Sequence, residues 1–253
     1  MIYGLYLSAT GVLANTYRQD VIANNIANSE TIGFKRDLAL LQQRPTAAQE
    51  GGDAGAMFDP TTGNMPGGML ATPTLVDTSQ GDMQPTGNPL DVAIEGEGYF
   101  AVNANGQMRL TRNGQFVMDS QGRLALFDGN GPDVLDNKQS PIYLQPGSPV
   151  TISGDGTVSQ NGSAVARLGV FNVPDPADLK KEGNTLMSVQ QGAAVNSVDP
   201  TLRDQFLERS NVDPATELTT LMDAQRQLEA NANMIRTQDE TLDKLISDVG
   251  KVS

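Results

Sequence analysis

The chain has no histidine, no cysteine and no tryptophan. Without cysteine there is no disulfide framework and no thiol chemistry. Without histidine the commonest general base and the commonest metal ligand are gone, so an enzyme would depend on carboxylates or Ser–Lys pairs. Aromatic residues make up only 5% of the 253 residues and apolar residues 38%, a lean supply for one compact globule. Positive charge is scarce: 17 Lys and Arg stand against 30 Asp and Glu, a net charge of −13. That balance argues against nucleic acid and anionic membrane surfaces as partners. No apolar run reaches the ~18 residues of a membrane span, so stable membrane insertion is not expected. Residues Met1 to Ala14 are fairly apolar, but the first cation is Arg18, so no cleaved signal peptide is expected.

Two segments at opposite ends carry helical patterns. Over Met1–Asn28, Leu5, Ala9, Val12, Ala23 and Ile26 fall at three- and four-residue spacing, with Thr16 and Gln19 interrupting the row. Gly4 and Gly11 lower the local propensity. Near the other end, Asp213 is a good N-cap and Pro214 suits the first helical position. From there Leu218, Leu221, Gln225, Leu228, Ala232, Ile235, Asp239, Leu242, Ile246 and Val249 alternate three- and four-residue steps, a heptad seam. Taken alone, that seam is the mark of any coiled-coil or bundle helix.

Between the helices the patterns change. Residues 36–43 leave helix and strand both open. Residues 43–75 are rich in Gly, Pro, Ala and Thr and read as a flexible linker or long loop with room for one short strand. Leu90, Val92 and Ile94 alternate with Asp91, Ala93 and Glu95, the period of a half-buried strand. Asn105-Gly106, the turn over Asp119–Gly122, Asp155-Gly156 and Asn161-Gly162 punctuate further short strands, which points to an antiparallel β domain over 76–200. Residues 174–200 return to loop chemistry, with room for a helical turn around Ala177–Lys181. Gly96-x-Gly98 lacks the third glycine and the following helix of a dinucleotide loop. Asp128, Asn130 and Asp133 lack the glycine and closing Glu of a calcium loop, so they are read as turn residues. No metal, cofactor or catalytic residue is expected.

The stretch joining the first helix to the rest is the most specific. Asn24, Asn25, Ala27, Asn28, Thr31, Gly33, Phe34 and Lys35 match, position by position, the Asn-Asn-x-Ala-Asn-x-x-Thr-x-Gly-Phe-Lys signature of the bacterial flagellar rod and hook family, which the chain resembles. Bottom-up, the asparagines suit a helix end, Gly33 permits positive φ, and Phe34 with Lys35 adds an apolar anchor and a charge. Thr86-Gly-Asn-Pro-Leu-Asp91, followed by Ile94-Glu-Gly-Glu-Gly-Tyr-Phe100, resembles a second signature. Ser210-Asn211-Val212-Asp213-Pro214, with Gln225-Arg226 and Glu229-Ala230-Asn231, resembles a third. The chain departs from the pattern at Asp204–Arg209 and after Lys35, which bears on subtype more than on family.

The resemblance implies an α+β fold. A helical tube domain would be built from residues 1–42 and 201–253, its long terminal helices packed as a coiled-coil-like pair, with the antiparallel β domain projecting from it. It also implies a structural subunit of the basal-body rod, proximal or distal, polymerising into a hollow axle that transmits torque. Its partners would be copies of itself, other flagellar axial proteins of rod and hook, and the flagellar export apparatus. It would span the periplasm after export without a cleaved signal. Subunit packing would fall to the signature residues with Ser210, Asn211, Val212, Leu218, Leu221, Leu228, Ile235 and Leu242. The alternative from another class is a carboxylate-based hydrolase or a carbohydrate-binding β domain with a coiled-coil dimerisation tail.

Overall fold

A computed structural model describes residues 2–46, 67–127 and 131–250. Residues 47–66 of the expected linker, Asp128 and Asn130 of the acidic turn, and the Val249 side chain lie outside the described residues. The chain divides into two compact units. One comprises Met1–Ile26, Asp37–Thr74 and Pro214–Ser253; the other comprises Ala27–Arg36 and Leu75–Asp213.

The first unit is built on two helices, α1 (Ile2–Ala27) and α2 (Pro214–Gly250). Proline opens α2, where its missing N–H costs nothing, and Glu217 sits in the first turn, where the helix dipole favours an acid. The helices run antiparallel: Gln238 lies against Gly4 and Asn231 against Gly11. The expected apolar stripe of α1 is not its buried face. Leu5, Ala9, Val12 and Ile26 are only half-buried and Ala23 is exposed, whereas Ser8, Gly11, Ala14, Asn15, Val21, Ile22 and Asn25 are buried. Small side chains let the helix backbones approach closely, and that decides which face turns inward.

On α2 one expected row holds and the other is displaced by one residue. Leu221, Leu228, Ile235 and Leu242 are half-buried. The companion row is Glu217, Ala224, Asn231 and Gln238; of the expected row Leu218, Gln225 and Asp239 are exposed and Ala232 is half-buried. Leu218 is 49% exposed and Ile246 is 71% exposed. Residues 36–43, left open by the sequence, hold the strands Asp37–Leu38 and Leu41–Gln43. The latter pairs antiparallel with Met69–Ala71, inside the segment expected to be linker.

In the second unit every strand pairing is antiparallel among the described residues. The central strand of its largest sheet, Tyr99–Ala104, is flanked by Gln107–Thr111, Asp133–Val134 and Val170–Asn172. It is buried on both faces: Phe100 and Val102 enter one apolar core, Tyr99 and Ala101 the other. Phe100 meets Phe116 edge-on, ring centroids 5.1 Å apart. Asn105 and Gly106 both take positive φ, as a two-residue hairpin of this chemistry requires.

Three readings of this region change. Val92–Glu95 is not half-buried: Val92, Ala93 and Ile94 are all buried, because the strand pairs with Thr201–Asp204 and also receives the Gly114 backbone. Residues 174–200 are not plain loop. A 3-10 turn at Pro176–Asp178 leads into a hairpin of Leu179–Glu182 with Leu186–Val189, whose polar sequence at the sheet edge hides its strand character. Residues 201–213, assigned with the terminal helix, instead carry the strands Thr201–Asp204 and Phe206–Glu208. The second of these pairs with Met83–Pro85.

Candidate functional site

Parts of all three signature blocks, residues 27–35, 86–100 and 210–213, lie in the second unit and converge there. After α1, the Thr31 N–H donates to the Asn28 carbonyl at 3.1 Å, and the Thr31 hydroxyl donates to the Asn28 side-chain oxygen at 3.2 Å. Gly33 follows with φ +68°, and its N–H donates to the Glu208 carbonyl at 2.8 Å. A Cβ on Gly33 would collide with the Arg112–Asn113 backbone. Glycine is therefore required twice, by its dihedral and by the close approach. Phe34 is buried, and the Lys181 ammonium stands 3.6 Å from its ring centroid.

Lys35 is where sequence and structure differ most in meaning. The sequence shows a lone charge beyond a turn; the structure buries it to 1% exposure. Its ammonium donates to Glu208 Oε1 at 2.6 Å and to the Ser79 carbonyl at 2.6 Å. The second Glu208 oxygen accepts from the Arg112 guanidinium at 3.0 Å, and the Gly81 N–H donates to Oε1 at 2.9 Å. Arg112 also donates to the Gly96 carbonyl at 2.7 Å. Two cations thus share one carboxylate in an almost water-free site. Burial pulls the Lys35 ammonium below the usual lysine range, and the Glu208 charge and hydrogen bond oppose that pull. Arg112 lies over the Tyr99 ring, 5.1 Å from its centroid. The Tyr99 hydroxyl is buried without a hydrogen-bond partner, and burial pushes its pKa up to about 12.

Asn211, from the third signature, binds the same junction. Its side-chain oxygen accepts from the Arg36 N–H at 2.7 Å. Its amide donates to the Asp77 and Ser79 carbonyls, both at 3.1 Å. The Ser210 hydroxyl accepts from the Val212 N–H at 3.3 Å, and Val212 is buried. Asp77 pairs with Arg36 at 3.0 Å. Burial alone would raise the Asp77 pKa, but hydrogen bonds from Ser79 and the Arg36 charge outweigh it and hold the carboxyl below its ordinary value.

Asn28, Thr31, Gly33, Phe34, Lys35, Ser210, Asn211 and Val212 therefore share one junction. Asn25 acts elsewhere, in the helical unit. Its amide donates to the Asp37 carbonyl and its oxygen accepts the Asp37 N–H, both at 2.9 Å. Asn24 and Ala27 are exposed at the end of α1. Leu221, Leu228, Ile235 and Leu242 lie on the half-buried row of α2, and Leu218 lies off it. Sequence reasoning missed Glu208, Ser79 and the buried role of Arg112. Nothing local in the sequence marks them, because their partners lie 44 to 173 positions away. A junction in which two cations share one buried carboxylate, closed by backbone hydrogen bonds, fixes how these segments meet.

Comparison with known proteins agrees with this geometry. Residues 5–35 match the family model described as flagella basal body rod protein. Residues 93–160 match the flagellar hook protein FlgE/F/G D1 domain, and residues 203–248 the flagellar basal body rod FlgEFG protein C-terminal. The chain is similar to the flagellar basal-body rod protein FlgF of Caulobacter vibrioides, 33% identical over 98% of both chains. It is also similar to FlgG of Bacillus subtilis, 31% identical over 98% of this chain and 99% of the relative. FlgG of Agrobacterium fabrum is 34% identical over 93% and 95%. Neither the hydrolase nor the carbohydrate-binding alternative finds support among these relatives. With three family models placed along its length and relatives of this identity matched almost end to end, the chain belongs to the flagellar basal-body rod protein family.

Proposed function

We propose that this structural rod subunit polymerises through α1 and α2, the pair forming a coiled-coil-like wall of a hollow axle that transmits torque. In this reading residues 1–42 and the C-terminal helix form the tube, and the β domain forms an outer layer. The observation that carries the proposal is where the apolar side chains lie. The helices meet with amide on glycine at Gly4–Gln238 and Gly11–Asn231, and Leu221, Leu228, Ile235 and Leu242 are half-buried, while Leu13, Leu218, Met222, Met234, Leu245 and Ile246 remain exposed. Large exposed apolar side chains on paired helices mark a surface built for association. Head-to-tail repetition of such a contact builds an open filament.

The partners are then further copies of the chain and the neighbouring axial proteins of rod and hook. Delivery is by the flagellar export apparatus to a periplasm-spanning position either proximal or distal in the rod. Catalysis is not part of the proposal. The buried carboxylate of the junction is fully engaged by Lys35, Arg112 and Gly81.

Immunogold labelling of isolated basal bodies, with a strain lacking the chain as control, tests the reading. Label confined to the rod, and rods missing or truncated in the control, is the expected result. Intact rods and normal swimming without the chain would overturn it.

A further inference from the structure

Gly4 and Gly11 are seven residues apart on α1, and Asn231 and Gln238 are seven apart on α2. The structure sets one pair on the other. An ideal Cβ on Gly4 would stand 2.7 Å from the Gln238 side-chain nitrogen, and one on Gly11 would stand 2.8 Å from that of Asn231. Each amide therefore lies over bare helix backbone that only glycine offers. The arrangement does not maximise stability: Gln238 Oε1 is buried without a hydrogen-bond partner, and glycine weakens a helix interior by roughly 1 kcal/mol relative to alanine.

The apolar row cannot set the helix register by itself. Leu221, Leu228, Ile235 and Leu242 repeat nearly the same side chain every seven residues, so a slide of one heptad leaves that row almost unchanged. The polar row is not repetitive. A one-heptad slide in one direction keeps an amide on glycine, Gln238 on Gly11, but puts Asn231 on Arg18; in the other it puts Asn231 on Gly4 but carries Gln238 past Ile2, where α1 starts, so either slide breaks one of the two pairs. Slides of three or four residues set Asn231 on Leu7, Ser8, Ala14 or Asn15, all of which carry a Cβ.

We infer that the two amide-on-glycine pairs, Gln238 on Gly4 and Asn231 on Gly11, are the register-determining contacts of the terminal helices. They exclude the slid pairings that the leucine row would accept. A polar residue in an otherwise apolar seam specifies register at a cost in stability. The pairs hold each subunit's two helices at one relative height, so the apolar rows on their outer faces meet a neighbouring subunit in one alignment. That last consequence rests on the polymerisation reading; the register itself does not.

The experiment uses the purified full chain, which has no native cysteine, with spin labels at Thr16→Cys and Gln227→Cys, both exposed. Double electron–electron resonance gives the distance between the labels. The otherwise unsubstituted chain is expected to show one narrow distance. Asn231→Ala, which removes an amide without crowding, is expected to add a second population. Gly11→Leu is expected to do so more strongly, the helices being displaced by about 10 Å along their axes for one heptad. Combining Gly11→Leu with Asn231→Ala, which makes room for the leucine, should return the distribution to one distance. A circular-dichroism melt of each variant confirms that the β-rich unit is intact. A broad distribution in the unsubstituted background, an unchanged narrow one in both single variants, or no recovery in the combination would each overturn the inference. The labels report on one chain alone, so this result is independent of whether the rod assembles.

Discussion

Glu208 is the anion that lets Lys35 and Arg112 occupy the same dry site, and the arrangement predicts an asymmetry. Glu208→Gln keeps the volume but removes the carboxylate that both cations contact, at 2.6 and 3.0 Å. Breaking a buried pair by removing one partner costs about 3–5 kcal/mol, because the remaining charge is stranded. Here two charges are stranded and repel each other, so the upper end applies. Lys35→Met is different. Glu208 keeps Arg112 and the Gly81 N–H, the site becomes neutral, and the Ser79 carbonyl keeps its bond from Asn211. The loss is then about one charge-assisted hydrogen bond, roughly 1.5–3 kcal/mol, partly offset by the apolar replacement. Urea unfolding followed by circular dichroism measures both. With a slope of about 2 kcal/mol/M, Glu208→Gln should lower the midpoint by about 2–2.5 M and Lys35→Met by about 1 M or less. Combined, the two substitutions should cost less than their sum, because the neutral amide then faces one cation instead of two. A Lys35→Met variant as damaged as Glu208→Gln would refute the reasoning, since it would mean the net charge of the site is irrelevant.

Other outcomes follow from the same geometry. Tyr99 has a folded pKa raised from 10.0 to about 12, so its contribution is intact below pH 10 and is lost as pH rises from there toward 12. Tyr99→Phe should flatten that alkaline decline and cost under about 1 kcal/mol at neutral pH, because the hydroxyl has no partner to lose; a steeper decline in the variant would contradict this. Asp77 has its pKa lowered from 3.8, so its contribution is present above about pH 4 and is lost as pH falls through the depressed value. Asp77→Asn should shrink the acid-side slope of an unfolding titration, and an unchanged slope would count against the assignment. Gly33→Val must abandon φ +68° and the close approach to Arg112–Asn113, so it should destabilise the second unit by several kcal/mol and abolish swimming. A variant with unaltered urea midpoint and normal motility would show the turn to be dispensable. Leu218→Asp should leave the unfolding midpoint within about 0.5 kcal/mol, as expected of an exposed site, yet block rod assembly. Leu228→Asp, on the half-buried row, should lower both stability and assembly; identical behaviour of the two would erase the distinction between the rows.

What local chemistry determines was legible in the chain itself. Proline after aspartate starts α2 at Pro214. Asn105-Gly106 turns a hairpin because both positions need positive φ, and Gly33 takes φ +68° where a turn was expected. The signatures marked the family because they lie in three contiguous stretches. Tertiary structure alone decided the rest. Lys35 and Glu208 are 173 positions apart, so nothing local says that a charge after a turn becomes the most buried cation among the described residues. The face of α1 that turns inward also defied its own periodicity. A hydrophobic stripe says which residues avoid water but not whether they meet their own chain or another. In α1 the glycines and small polar residues took the intrachain contact, because only they let a second backbone come close. The one-residue displacement of the polar row on α2 follows from the same cause. Leu218 and Ile246 share the heptad spacing of a seam, yet the place opposite Gly4 and Gly11 admits a flat amide, and Gln238 and Asn231 are the residues in register to supply it.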